Sequence, residues 1–484
     1  MGDGVRAMNA ADLAKQLADS QAALNIVWTL VTGFLVMFMQ AGFALVEAGL
    51  TRAKNVAHTM AMNFMVYAIG IIGYWAVGFA LQMGGVGPLT TFGGDPTLGH
   101  EATIQIAGKA FGLFGLKGFF LSPDVVTPGV ATLFLFQLVF MDTAAIIPTG
   151  AGAERWKFTS FVLFSFVSST LIYPIFANWV WGGGWLSALG ANFGLGHGHV
   201  DFAGSSVVHM TGGGMAFMLA RELGPRQGKF GPDGAAKAIP GHSVPLVVLG
   251  TFILAFGWFG FNPGSTLSGS DTRIAVIAVN TMLASAAGAV AAYAYMKANF
   301  GAPDVTMLCN GMLGGLVAIT APCAFVTAPS AVLIGSVAGV LVIKAALFLE
   351  QTLKIDDPVG AVSVHGVCGA WGILALGLLA DGRYGEGFNG VPGTVRGLFY
   401  GDSGQFFAGV LGILTNVLWV AGATFVALKL IGATVGNRSA PEDEIDGLDA
   451  SEMGGPGYAP DALGRKRNPS IAEVETAGVL LKSR

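Results

Sequence analysis

Eleven apolar stretches of about 20 residues run along the chain, separated by shorter segments that carry most of the charge. That length suits a helix crossing ~30 Å of hydrocarbon. The pattern predicts spans near residues 23–49, 57–82, 127–149, 158–180, 204–221, 243–262, 273–297, 305–323, 328–351, 358–381 and 403–432. The expected fold class is an all-α polytopic membrane protein of about eleven transmembrane helices. Residues 1–22 are polar, without the basic start and apolar core of a signal peptide. They read as an extracytoplasmic N-terminal segment, residues 23–433 as one transmembrane domain, and 434–484 as a cytoplasmic tail. The tail is acidic at PEDEIDGLD and too short for an independent enzymatic domain. The connection 83–126 is long, and its GLFGLKGFFL reads as a short interfacial piece.

An odd number of spans places the termini on opposite sides. One set of loops holds Arg52, Lys54, Arg155, Lys157, Arg221, Arg226, Lys229, Lys237, Lys297 and Lys354. The other holds Arg6, Lys15, Lys109, Lys117, Arg273, Arg383 and Arg396, and its loops 181–203 and 324–327 carry no Lys or Arg. The bias puts the N-terminus outside and the C-terminus, with Arg465, Lys466 and Arg467, in the cytoplasm of a cell (inner) membrane protein. Composition strengthens this picture. The chain is 53% hydrophobic and 11% charged, against about 25% charged in soluble domains. Its 73 glycines suit closely packed transmembrane helices. There is no basic stripe for nucleic acid. Cys309, Cys323 and Cys368 lie in or beside apolar segments without a CxxC pair, and read as small buried hydrophobes.

Two histidines stand out because each lies within an apolar span, where an ionisable group is costly. His209 is in the fifth predicted span and His365 in the tenth. Equivalent positions five spans apart suggest that spans 1–5 and 6–10 form two repeats of opposite orientation, with an eleventh helix added. Both histidines precede small residues, in HMTGGG and HGVCGA. Paired in a dry pore, two imidazoles can bond each other and carry a proton or hold a small polar solute. The rival is a metal site, for which only Cys368 lies near His365 and nothing comparable accompanies His209. Phe136 and Phe140 share a helix face; Trp179, Trp181 and Trp185 crowd a loop mouth; Phe261 and Ser265 end the sixth span. This set is either an interfacial aromatic belt or a vestibule for a small cation. Among the acids, Asp201 opens span 5 as a candidate cap, and Asp356–Asp357 look like the cap of span 10. Asp142 lies deep in span 3 and needs a partner, and Glu47 lies in span 1.

The motifs AGFALVEAGLTRAKN (41–55), FQLVF (136–140), GAERWKF (152–158), VWGGG (180–184), DFAGSSVVH (201–209), GWFGFNPGS (257–265) and DDPVGAVSVHGVCG (356–369) occur in an order that resembles the ammonium transporter, methylammonium permease and Rhesus family over nearly the whole chain. The resemblance implies eleven spans, inverted five-helix repeats and a homotrimer with one pore per subunit. It places Trp181, Phe140 and Ser265, with Phe136 beside them, on an outer ammonium recruitment site. It places Phe140 and Phe261 on a stacked phenyl gate, and His209 and His365 on a twin-histidine pair. Asp201 falls on a structural aspartate that supports recruitment. Ammonium, ammonia and methylammonium are the implied solutes, with no cofactor. Asp142 stands where the family usually has a small apolar residue, which suggests a differently tuned pore wall. EIDGLDASEMG resembles the family's regulatory cytoplasmic segment, with Met453 where a histidine is common and a divergent GPGY after it. A PII-type signalling protein is therefore an implied partner at the cytoplasmic face.

The expected activity is transport: recruitment of ammonium, loss of its proton near the gate, and passage of ammonia past two imidazoles, with or without the proton. An ammonium sensor with little flux is the alternative; a neutral gas or urea channel would not need Trp181 and Ser265. The chain shows no nucleophile–base set or phosphate loop that would point to an enzyme.

Overall fold

The computed structural model describes residues 10–94 and 97–459. Arg6, Arg465, Lys466 and Arg467, used above to orient the chain, lie outside the described residues, as do residues 1–9 and 460–484 of the two terminal segments. Among the described residues, nine helices are long and apolar enough to cross a membrane: Ala10–Leu50, Ala53–Met83, Pro128–Gly152, Phe158–Trp181, Val244–Thr266, Arg273–Phe300, Ala328–Gln351, Val362–Leu379 and Ser403–Val435. Two shorter ones, 205–223 and Val305–Thr320, complete the predicted order. We number these spans 1 to 11 along the chain. Their starts follow local capping chemistry. Thr127, Asp304, Thr327 and Asp402 each accept a first-turn N–H, and Pro128 and Pro329 sit in the first turn of spans 3 and 9.

One expectation changes. Span 1 begins at Ala10 rather than near residue 23. Residues 10–20 are fully exposed but rich in Ala, Leu, Lys and Gln, so good helix formers carry the helix beyond its apolar stretch. In the long connection, the apolar piece 112–121 starts in a hairpin, Glu101–Ile106 (β1) paired antiparallel with Lys109–Gly115 (β2), and ends in a short turn, Phe119–Leu121. Ala107 and Gly108 turn between them with φ of 50° and 73°, the left-handed pair a tight hairpin turn requires.

Small residues set how closely the spans approach. Where spans 1 and 6 cross, a Cβ on Gly250 would sit 2.6 Å from the Gly42 carbonyl oxygen. No larger residue fits that seam. The three cysteines are buried and free; the Cys368 thiol lies 3.7 Å from the Ala338 carbonyl oxygen.

The loops 51–58, 152–158, 224–230 and 356–360 meet on one face in a buried charge network. Glu154 faces both Arg52 and Arg226. Arg226 grips Asp356 through Nε (2.9 Å), Nη2 (3.0 Å) and its backbone N–H (2.8 Å). The paired acids were expected to act together as a cap, but they divide the work. Asp357 caps span 10 by accepting from Ala361 and Val362, while Asp356 is an ion-pair partner for a loop elsewhere in the chain. The tail helices Pro441–Asp446 and Leu448–Met453 pack on the same face: Asp449 accepts from the His58 N–H (2.9 Å), and Glu452 from the Phe158 N–H (2.6 Å).

Burial alone would push the Asp356 carboxyl up, but the Arg226 hydrogen bonds and charge outweigh it and bring it down to about 2. The folded value lies below the unfolded one of about 3.9. The contribution is therefore complete above pH ~4 and is lost as pH falls through about 2. Asp356→Asn is expected to cost about 3 kcal/mol at pH 7, read as a lowered unfolding midpoint in detergent. The gap between wild type and variant should close as the pH is taken from 4 to 2.

Candidate functional site

The site is built on two short motifs with one spacing. Residues 201–209 read Asp-x2-Gly-x4-His, and so do residues 357–365. In both, the acid caps the start of a span. Asp201 accepts from the N–H groups of Gly204, Ser205, Ser206 and Val207 at 2.7–2.9 Å, and from the Ser206 hydroxyl. Asp357 accepts from Ala361 and Val362. Gly204 (φ 117°) and Gly360 (φ 79°) make the left-handed turns that bring the chain back onto its own cap. Both histidines then fall in a π-helical turn, Ser205–Met210 and Val362–Val367. Such a turn widens the helix by one residue and re-aims the side chain. The repeat inferred from the position of two histidines is thus present in cap, turn and wide helical loop together.

The two rings meet in the centre of the bundle. His209 Nδ1 and His365 Nδ1 are 3.1 Å apart, with ring centroids at 5.2 Å and an interplanar angle of 22°. Nitrogens this close share one proton, so one ring carries its hydrogen on Nδ1 and the other on Nε2. The pair therefore presents one Nε2 acceptor and one Nε2 donor. His209 is fully buried and its Nε2 has no protein partner among the described residues. The small residues after the histidines bring the two helices together. What they admit is the opposite helix: a Cβ on Gly213 would lie 2.2 Å from the Gly366 nitrogen. Backbone contact behind the rings is what lets them bond each other.

On one side of the pair lies a vestibule of about 220 Å³, lined by Phe136, Gln137, Phe140, Trp181, Asp201 and Ser265, among others. Phe140 stacks on Phe261 at 4.1 Å and 29°, meets Phe136 at 4.7 Å, and meets the Trp181 edge at 5.9 Å. Phe261 in turn lies 5.5 Å from the His209 ring. The file from open vestibule to imidazole is therefore closed by two phenyl rings. Asp201 takes the Trp181 indole N–H on its carbonyl oxygen (2.7 Å), which fixes that ring. The Ser265 hydroxyl donates to the Phe261 carbonyl (2.7 Å), leaving its lone pairs as acceptors. All eight residues singled out from sequence — Phe136, Phe140, Trp181, Asp201, His209, Phe261, Ser265 and His365 — are brought into one continuous path. Trp179 and Trp185 are not: they pack on each other, and Trp179 donates to the Leu113 carbonyl.

Asp142 is also not on the path. It is buried on the far side of span 3, accepting from the Gln40 amide and facing Gly70. The expectation of a retuned pore wall is corrected. Two residues after Phe140 is about 200° around the helix, so Asp142 faces spans 1 and 2. Sequence reasoning missed Trp258, whose ring stacks on His209 at 5.2 Å and 17°, held by its N–H on the Thr320 hydroxyl (2.9 Å). Its signal was available: it lies three residues before Phe261 on the same helix face. Also missed were Phe43, 5.8 Å from the His365 ring, and Asn310.

The model of the Ammonium Transporter Family matches residues 27–458. The chain is 45% identical over 452 residues to the ammonium transporter Amt2 of Archaeoglobus fulgidus, covering 93% of this chain and 91% of that one. Among solved structures, a protein titled a sensor Amt protein matches with a TM-score of 0.77 and 34% identity, covering 89% of this chain and 98% of that one. The Mep2 structure from Candida albicans matches with a TM-score of 0.73 and 26% identity, covering 88% of each. The protein belongs to the ammonium transporter family and is a multi-pass membrane protein of that fold.

Proposed function

We propose that this protein conducts ammonium nitrogen across the cell membrane by binding ammonium in the Trp181 vestibule, removing its proton near the phenyl pair, and passing ammonia along His209 and His365. The N-terminus and the vestibule face outward, the C-terminal tail faces the cytoplasm, and three copies assemble as a homotrimer with one pore each. The observation that carries this reading is the Nδ1–Nδ1 contact of 3.1 Å between two buried rings, with Phe140 and Phe261 stacked between them and the vestibule.

The chemistry follows from desolvation. Ammonium and potassium carry the same charge at similar size, so charge does not separate them. In the vestibule an aromatic face and the Ser265 acceptor replace part of the ion's water, with the aromatic contact worth roughly 0.5–2 kcal/mol. Beyond the phenyl pair an unpaired charge costs many kcal/mol. Ammonium escapes that cost by leaving a proton behind. The ammonia that remains has one lone pair and three N–H bonds. The Nε2 acceptor and the Nε2 donor match both. Potassium has no proton to lose and stays outside. Asp201 holds the mouth in shape from within the protein, its oxygens spent on backbone N–H groups and the Ser206 hydroxyl.

The likeness to a protein titled as a sensor favours a second reading, in which the same vestibule binds ammonium with little flux. Currents decide between them. On a solid-supported membrane, proteoliposomes of the purified protein are expected to give ammonium-evoked current or, for net ammonia transfer, a pH change in the lumen, and no potassium current. Ammonium binding with neither signal would leave the sensor reading. His209→Ala and His365→Ala are each expected to lower the flux roughly tenfold, the equivalent of about 1.4 kcal/mol. Unchanged flux and unchanged potassium rejection in both would take the histidines out of the mechanism. Trp181→Ala is expected to raise half-saturating ammonium roughly 2- to 30-fold, the range set by losing the aromatic contact. Titrating the flux with ammonium checks this.

A further inference from the structure

The inverted repeat that pairs the two histidine motifs also pairs spans 1 and 6. Span 6 ends on Gly260-Phe261-x3-Ser265, and span 1 ends on Gly42-Phe43-x3-Glu47. Phe261 lies 5.5 Å from the His209 ring, and Phe43 lies 5.8 Å from the His365 ring. Asp201 caps the turn below the first histidine, and Asp357 the turn below the second. The end beyond His365 therefore repeats the phenylalanine, the aspartate cap and the histidine of the vestibule side. One part differs in kind: where the vestibule has the Ser265 hydroxyl, this end has the Glu47 carboxylate.

That carboxylate has an unusual setting. Glu47 is 2% exposed. It accepts from the Asn63 amide (2.7 Å), and the Thr149 hydroxyl is 2.8 Å away. Among the described residues no cation makes an ion pair with it. A buried carboxylate held by neutral donors alone, the Asn63 amide, the Thr149 hydroxyl and the Gly150 N–H, lacks the counter-charge such a group normally requires. It lines a cavity with Phe43, Asn310, Val359, Gly360 and His365. The cavity's volume is about 20 Å³, enough for one water-sized molecule, which needs ~10–15 Å³ on the same measure. Asn310 donates an amide N–H to the Val359 carbonyl (3.3 Å), so its side-chain oxygen is left to accept. A small cation with several N–H donors fits this set: a carboxylate, an amide oxygen and an aromatic face around a single-molecule space.

We propose that Glu47, Asn310 and Phe43 form a second ammonium-binding site at the His365 end of the path, the repeat-related counterpart of the Trp181 vestibule, and that it sets the affinity for ammonium arriving from that side. The proposal rests on the reading that ammonium is the transported solute. Its test uses thallium(I), an ammonium-sized cation visible by anomalous scattering, soaked into crystals of the full chain. The expected result is one peak among Trp181, Phe140 and Ser265 and a second in contact with the Glu47 carboxylate. In Glu47→Gln the second peak is lost and the first stays. In oriented proteoliposomes, half-saturating ammonium presented from the Glu47 side rises roughly tenfold in this variant, while half-saturation from the Trp181 side is unchanged. A purely structural role for Glu47 would move both sides together and overturn the proposal. So would the absence of a thallium peak at Glu47 in wild type, a result that stands even if the variant does not fold. If that peak is absent while ammonium flux is intact, only the second site falls. If flux and both peaks are absent, the transport reading falls with it.

Discussion

The cost of holding a charge away from water governs this molecule. The stacked phenyl rings and the paired imidazoles are buried, and among the described residues no charged group pairs with either imidazole, so an ion placed there would pay a large desolvation penalty. Everything around that stretch either maintains its dryness or offsets its cost at the two ends. Trp258 and Phe261 pack flat on His209. In the proposed reading, the aromatic faces and the serine oxygen of the vestibule offset part of that cost for a cation.

Bringing two imidazoles to hydrogen-bonding distance inside a helix bundle is itself a constraint on the backbone. The π-helical turns at residues 205–210 and 362–367 swing each ring inward, and the contact between Gly213 and Gly366 removes the width that side chains would impose. The aspartate caps absorb the first N–H groups of both spans, so that irregular backbone deep in the protein keeps its hydrogen bonds. Because the two halves use the same cap, turn and glycine, one solution to this packing problem serves twice.

At the other face, the polar network has a different task. Arg52, Glu154, Arg226 and Asp356 tie together loops that are remote in sequence, and the tail helices are bonded onto the same loops through Asp449 and Glu452. Spans that must slide little if the imidazoles are to stay 3.1 Å apart are thus clamped by charge where they leave the bilayer and by glycine seams within it.

Hydropathy alone located the eleven spans, because each must replace water with lipid over a bilayer's thickness, and no other pattern of residues can do so. The motif resemblance named eight residues that the structure brings close together around the vestibule and the two imidazoles. What hydropathy could not register was structure outside the apolar windows: the aqueous extension of span 1 back to Ala10 and the hairpin 101–115. Direction within a helix was equally out of reach. Asp142, two residues from Phe140, turned out to face Gln40 and Gly70 instead of the path, and Asp356 and Asp357, adjacent in the chain, serve an ion pair and a cap. Only the tertiary structure decided these, because a side chain's role depends on which neighbouring helix it meets, and helix rotation is set by packing against residues hundreds of positions away.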